Sequence, residues 1–331
     1  GVDGFLVSSD NNPHMALDLT FAIGEYDRVR PLRTGEIDPE GLDLTLVDRP
    51  PGELFKQVAE HQQFELTEMS LSTFTLWTSM GECPYIGIPA FPSRFFRHSA
   101  IYVNDDAEIE EPQDLQGKTV GVLPEYQITA ATFARGMLQH EYGVHPEDVT
   151  WYAGREEKIP VSLTEGLDKH VVDPDEDLEA MLEHGEIDAL VSTLIPEALG
   201  DGVSRLFPDF KAREKAYYDK TGIFPIMHTV VVRKDIYQEY PWVTHQVYEA
   251  MQEAKELAVR RLYNTDALHA TLPWLIDHVE EAREAFGADD WQYGFEPNRN
   301  VLEALTTYSL EQGLSRRKVE PEDLFVDELL H

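Results

Sequence analysis

The feature that most limits the folds open to this chain is an alternation of short apolar strands with amphipathic helices. "LDLTFAI" places Leu17, Leu19, Phe21 and Ile23 on one face, the two-residue period of a strand, and Gly24 ends it. "LDLTLVDR" (42–49) is a second strand, stopped by Pro50 and Pro51. The next stretch carries Leu54, Phe55, Val58 and Ala59 at helical spacing. "LTEMSLST" passes from strand to helix at its serines, and "HSAIYVNDD" is again a strand. Further along, Lys118–Leu123 and "VTWYAG" read as strands around a helix that Gly143 ends, and "DLEAMLEHGEIDALVST" reads as helix, then strand. Beyond Pro241 nearly everything reads as helix.

Such alternation predicts parallel sheets covered by helices on both faces, with ligands at the carboxyl ends of the strands. "AIYVNDD" and "TVVVRKD" look alike, each an apolar strand closed by acid. If both belong to one sheet, the block between them is an inserted domain. Residues 15–104 with 223–331 then form lobe 1, with a helical C-terminal part. Residues 105–222 form lobe 2, with hinges near Asp105 and Gly222. Residues 1–14 read as a cloning remnant before a native start at Met15, which predicts a cytoplasmic protein.

Charge removes whole classes of partner. Sixty-two Asp and Glu face 27 Lys and Arg in 331 residues, a formal net charge of -35. A surface of that sign repels nucleic acid and anionic membranes. A high-salt interior, as in a halophile, accounts for the excess best, because salt screens the self-repulsion. The one cysteine, Cys83, allows no internal disulfide and reads as a small buried hydrophobe.

Against that background "FPSRFFRHS" puts Arg94, Arg97 and His98 among Phe91, Phe95 and Phe96. A buried guanidinium needs an acceptor, and a ligand carboxylate offers one with bidentate geometry. Arg28 lies in the loop after the first strand with Tyr26 and Asp27. Ser70, Ser72 and Thr73 lie at a strand–helix turn, and Tyr126 and Gln127 precede a helix whose amides suit an anion. His228 stands where "GIFPIMHTVV" becomes a strand. Each has a plainer reading: ion pairs for the arginines, a satisfied core position for either histidine. Together they describe a cleft for an anionic, aromatic ligand, enzymatic or not. "QGKTVGV" is not a phosphate loop, since position 112 is proline where glycine is required. No cofactor is implied; a divalent metal stays open, because scattered ligands leave no sequence mark.

Read whole, from Leu17 to about Phe325, the chain resembles the 4,5-dihydroxyphthalate decarboxylase family. The stretches that carry the resemblance are "YDRVRPL", "EMSLSTF", "IPAFPSRFFRHSAIYVN", "GKTVGVLPEYQITAATFARGML", "TGIFPIMHTVVVRKD", "TLPWL", "WQYGFEPNR" and "EQGL". The family is similar to type 2 periplasmic solute-binding proteins. The resemblance implies an α/β, two-lobed fold with mixed sheets, helices on both faces and two hinge crossings. It also implies loss of one ring carboxylate as CO2 to give a protocatechuate-type product. On that reading Arg28, Arg94 and Arg97 anchor carboxylates, and His98 and His228 compete as general acid. Asp27 and Tyr126 meet the ring hydroxyls, while Tyr26, Ser70, Ser72 and Gln127 line the site. The partner is a small aromatic carboxylate, and the helical third offers a surface for a homo-oligomer.

Two other readings stand beside it. One is a non-catalytic solute-binding protein for a small carboxylate, outside the cytoplasm, which a leader upstream of Met15 would favour. The other is a related cytoplasmic enzyme acting on a different acid.

Overall fold

The computed structural model describes residues 16–161, 163–164 and 166–331. The segment read as a cloning remnant lies outside them. In chain order the elements are β1 (Leu17–Ala22), α1 (Arg30–Arg33), β2 (Leu42–Val47), α2 (Pro51–His61), β3 (Leu66–Ser70), α3 (Leu71–Ser79) and β4 (Tyr85–Arg94). Next come β5 (Ile101–Asn104), β6 (Thr119–Val122), α4 (Thr129–Tyr142), β7 (Thr150–Ala153), β8 (Asp168–Val171), α5 (Leu178–Glu183), β9 (Ala189–Val191), β10 (Val203–Arg205) and α6 (Phe210–Thr221). The chain closes with β11 (Ile226–Arg233), α7 (Lys234–Glu239), α8 (Trp242–Leu262), α9 (Leu275–Phe286) and α10 (Arg299–Glu311).

Two mixed sheets make two lobes. The first has the order β2-β1-β3-β11-β4, the second β10-β5-β9-β6-β7-β8. Strand β1 runs parallel to β2 and β3, and β11 runs antiparallel to both β3 and β4. In the second sheet β6 pairs in parallel with β7 and β9, while β5 is antiparallel to β9 and β10. Phe21, Leu66, Ile88 and Val230 are all fully buried in the first lobe's core. Each such side chain contributes about 1.5–3 kcal/mol of burial. The last helix, α10, packs on both α3 and α4 and so ties the lobes together behind the cleft.

Strand β5 corrects one expectation. It does not share a sheet with β11; it pairs with β9 and β10 in the second lobe. The chain therefore crosses between lobes in the segment 95–100, ahead of the hinge expected near Asp105. It returns between α6, capped by Gly222 at φ 65°, and β11. The pattern of "AIYVNDD" registers burial, but strand partners are chosen by long-range pairing that a local pattern does not carry.

Strand β4 went unread for a different reason. Pro89 and Pro92 sit inside it, and proline argues against a central strand. The sheet absorbs them in register shifts against β11 on both sides of His228.

Candidate functional site

The candidate site forms where β3 ends and β11 begins in the first lobe. In the antiparallel ladder His228 lies opposite Ser70 on β3 and beside Ser93 on β4. Residues two apart on a strand share a face, so Glu68 and Ser70 point to the same side of the sheet. Glu68 is fully buried. Its Oε1 accepts the Gly24 amide at 3.1 Å, and its Oε2 accepts the Tyr26 hydroxyl at 3.0 Å. A side chain at Gly24 would put its Cβ 3.2 Å from Oε1, so glycine there lets the loop close on the carboxylate.

Two oxygens face one nitrogen of His228. Nδ1 stands 3.5 Å from Glu68 Oε2 and 3.4 Å from the Tyr26 hydroxyl. The carboxylate favours the tautomer with the proton on Nδ1. That leaves Nε2 as the nitrogen for a ligand. Burial and the Glu68 charge push the Tyr26 phenol far above its ordinary range, so it stays a donor. The Phe55 ring of α2 packs edge-on against the imidazole, centroids 4.8 Å apart. His228 is 16% exposed, enough to be reached from the cleft.

Arg28 sits beside this group. Its Nε donates to the Pro92 carbonyl at 2.7 Å and its Nη1 to Asp27 at 3.0 Å. Its guanidinium lies over Tyr26 at 4.6 Å and Trp291 at 4.3 Å. Asp27 itself is exposed.

The opposite wall comes from the second lobe. Glu125, wholly buried, is held by Arg155 Nε at 2.7 Å and Lys158 Nζ at 2.7 Å. The amides of Tyr126 and Gln127 donate to Glu157 at 3.3 and 2.9 Å, and Lys169 pairs with the same carboxylate at 2.6 Å. The anion slot expected at these two residues therefore already holds one of the chain's own carboxylates. Tyr126 stacks under Arg135 at 3.5 Å, and burial pushes its phenol up to about 12. Ser70 Oγ meets Thr129 Oγ1 at 2.8 Å and Ser72 Oγ meets Thr132 Oγ1 at 3.1 Å, so both hydroxyls bridge the lobes. Thr73 is buried within α3.

The other basic residues of the sequence reading take different places. Arg94 is buried, donating to the carbonyls of Phe224 at 3.1 Å and Gln292 at 2.5 Å and to the Asn298 side chain. Its acceptors are neutral oxygens, and burial lowers it to about 10. Arg97 donates to Met227 Sδ, and burial lowers it to about 9. Met227 precedes His228 on β11, so its side chain leaves the opposite face of the sheet. His98 is boxed by Phe207 at 5.1 Å and Tyr217 at 5.3 Å, and burial lowers it to about 4. It is a neutral core histidine, and none of its ring contacts is a site residue. Cys83 is buried, its thiol pushed up to about 11, which leaves no thiolate for nucleophilic work. Among the described residues no group of three or more His, Cys, Asp or Glu is placed to hold a metal ion.

No family model matches the chain. It is 37% identical over 318 residues to a 4,5-dihydroxyphthalate decarboxylase of Comamonas testosteroni, covering 93% of this chain and 96% of that one. The chain belongs to the 4,5-dihydroxyphthalate decarboxylase family. A second relative in that family, from Pseudomonas putida, is 37% identical over 211 residues, 61% of this chain and 81% of its own.

Solved structures place the family member in the periplasmic-binding-protein fold. The aliphatic sulphonate binding protein SsuA of Escherichia coli aligns with a TM-score of 0.55 at 12% identity, covering 95% of this chain and 99% of its own. A Candida albicans protein described as having the generic periplasmic binding protein fold aligns at 0.52 and 11% identity, covering 93% and 96%. The desulfurization enzyme DSZB aligns at 0.51 and 15%, covering 95% and 97%. A binding protein and an enzyme thus share this architecture, so function has to be argued from the site.

Sequence reasoning missed Glu68, though a signal existed. An acid inside the apolar run "LTEMS" of a family member must be partnered, because an isolated buried carboxylate is prohibitively costly. Glu125, Arg155 and Lys158 carried no such signal, since they lie in loops and are joined only by tertiary structure.

Proposed function

We propose that this chain decarboxylates a hydroxylated aromatic dicarboxylate of the 4,5-dihydroxyphthalate type, releasing CO2 and a protocatechuate-type product. The observation that carries the reading is His228 at the cleft, its Nδ1 backed by Glu68 and Tyr26. Family membership supplies the substrate class.

In the proposed reaction the hydroxyl para to the departing carboxylate pushes electron density onto the ring carbon that bears it. Imidazolium Nε2 gives its proton to that carbon. The bond from ring to carboxylate then breaks, its electron pair restores aromaticity, and CO2 leaves. One proton enters and one CO2 departs, and solvent reprotonates the imidazole. Glu68, facing Nδ1, fixes the ring's orientation so that Nε2 points to the substrate. Phe55 packs edge-on against the imidazole and helps hold it in place. Arg28, stacked between Tyr26 and Trp291, offers positive charge at the same end of the cleft.

We place the activity in the cytoplasm, which cell fractionation checks; no helix among the described residues is long and apolar enough to cross a membrane. The direct test is to mix purified protein with 4,5-dihydroxyphthalate and follow CO2 together with the ring's ultraviolet spectrum. Catalytic release of CO2 supports the proposal. Tight binding with no CO2 overturns it in favour of a carboxylate-binding protein.

A further inference from the structure

Lobe 2 contributes a pair of cations that the reaction above does not use. Lys158 and Arg155 share one buried carboxylate, Glu125. The exposed side chains of Glu60 and Glu156 also line the cavity, so what sets Lys158 apart is its burial at the cleft rather than a surplus of charge. Glu157 beside them is engaged elsewhere, bound by the Tyr126 and Gln127 amides and by Lys169. Lys158 is 7% exposed, and burial lowers its ammonium from the usual range, a cost that an incoming anion relieves.

These cations face lobe 1 across the cleft. Lys158 Nζ lies 5.8 Å from the centroid of Phe55, the same ring that packs against His228. A Cβ on Gly52, at the start of α2, would lie 3.9 Å from Arg155 Nη2. A cavity of about 300 Å³ opens here between α2 and the Arg155–Lys158 loop, with Ala59 and Glu60 on one side and Lys158 on the other. That is the lower end of the range for small-ligand sites.

We propose that Lys158, with Arg155 beside it and Glu125 behind it, binds the carboxylate that the substrate keeps. The proposal rests on the decarboxylase reading. Its choice of carboxylate follows from charge. The departing group loses its negative charge as CO2 forms, so a cation on it would stabilise the substrate more than the transition state. The retained carboxylate keeps its charge throughout, and a cation there anchors without slowing the reaction. Phe55, apolar and next to His228, suits the group that leaves as neutral CO2. Glu125 is a positioning residue, holding the ammonium toward the cleft.

The test is calorimetric titration with protocatechuate, which carries only the retained carboxylate, and with phthalate, which needs no turnover to report. Lys158→Met should weaken both by about 10- to 100-fold, the loss expected for a charged hydrogen bond. Lys158→Met combined with Glu125→Gln, which leaves no orphaned carboxylate, should show the same loss and guards against misfolding. Lys318→Met, which removes an exposed lysine that does not line the cavity, should change neither by more than about twofold, a measure of surface charge alone. Unchanged binding in the folded double variant overturns the proposal. So does a loss for phthalate with none for protocatechuate, which would put Lys158 on the departing group. Wild-type protein that releases no CO2, while Lys158→Met still loosens phthalate, would sink the decarboxylase reading and leave the anion site standing.

Discussion

The Glu68 carboxylate, fully buried, stands 3.5 Å from Nδ1 of His228. In the proposed reaction a carboxylate in that place makes the histidine a directed proton donor, because it fixes which nitrogen faces the ligand. Both residues stand on neighbouring antiparallel strands, so the pairing of β3 with β11 sets the distance between them.

Replacing His228 with Gln should lower turnover by about 10²–10⁴-fold, the usual contribution of a positioned general acid. Affinity for the substrate should stay within about tenfold, since the amide keeps the ring's size and a donor. Steady-state kinetics with a binding titration checks both. Turnover above a few percent of wild type would remove His228 from the reaction.

Stability should fall on mild acidification, in part because of His98. Burial lowers this imidazole from 6.5 to about 4, so between those pH values the unfolded chain binds a proton that the folded one refuses. The unfolded state then gains relative to the native state as pH drops, and the effect is complete near pH 4. The full swing is about 3 kcal/mol. Urea melts of wild type and His98→Leu at pH 7 and pH 5 isolate it. The variant should lose less stability over that interval, and equal losses would contradict the assignment.

Gly136 in α4 should not tolerate alanine. A Cβ there would lie 2.2 Å from Cδ2 of Tyr308 on α10, far inside contact distance. Overpacking of this kind costs about 1–3 kcal/mol. Gly136→Ala should lower the denaturant midpoint, and combining it with Tyr308→Ala should cost less than the two single changes added together. Additive losses would mean that α4 and α10 are not so closely packed.

The charge of -35 predicts a stability that depends on salt. Raising salt from about 0.1 M to about 1 M shortens the screening length from about 10 Å to about 3 Å, which relieves repulsion between exposed carboxylates. Thermal melts in potassium chloride should shift upward by several degrees. A flat response would count against the expectation of a high-salt source.

Much of the architecture was readable before any coordinates, because it rests on local periodicity. The alternation in "LDLTFAI" and the helical stripe through Leu54, Phe55 and Val58 appear as β1 and α2. Gly143 ends α4 with φ 71°, as a glycine at that place implies. Partners were another matter. β5 could be recognised as a strand, yet its place beside β9 and β10 depends on residues far along the chain.

The site divides along the same line. Sequence alone marked His228, Arg28 and Tyr26 as polar groups at strand ends, and it marked the aromatic–basic run around Arg94. It had no means to separate a guanidinium satisfied by the carbonyls of Phe224 and Gln292 from one that waits for a ligand. Nor could it join Glu68 to His228, or Lys158 to Phe55, across long stretches of intervening chain. The linear pattern determines which residues are driven inside, because burial follows from each side chain's own chemistry. Which charged groups then meet depends on distances in space, and those are set only when the two sheets pack and the lobes close.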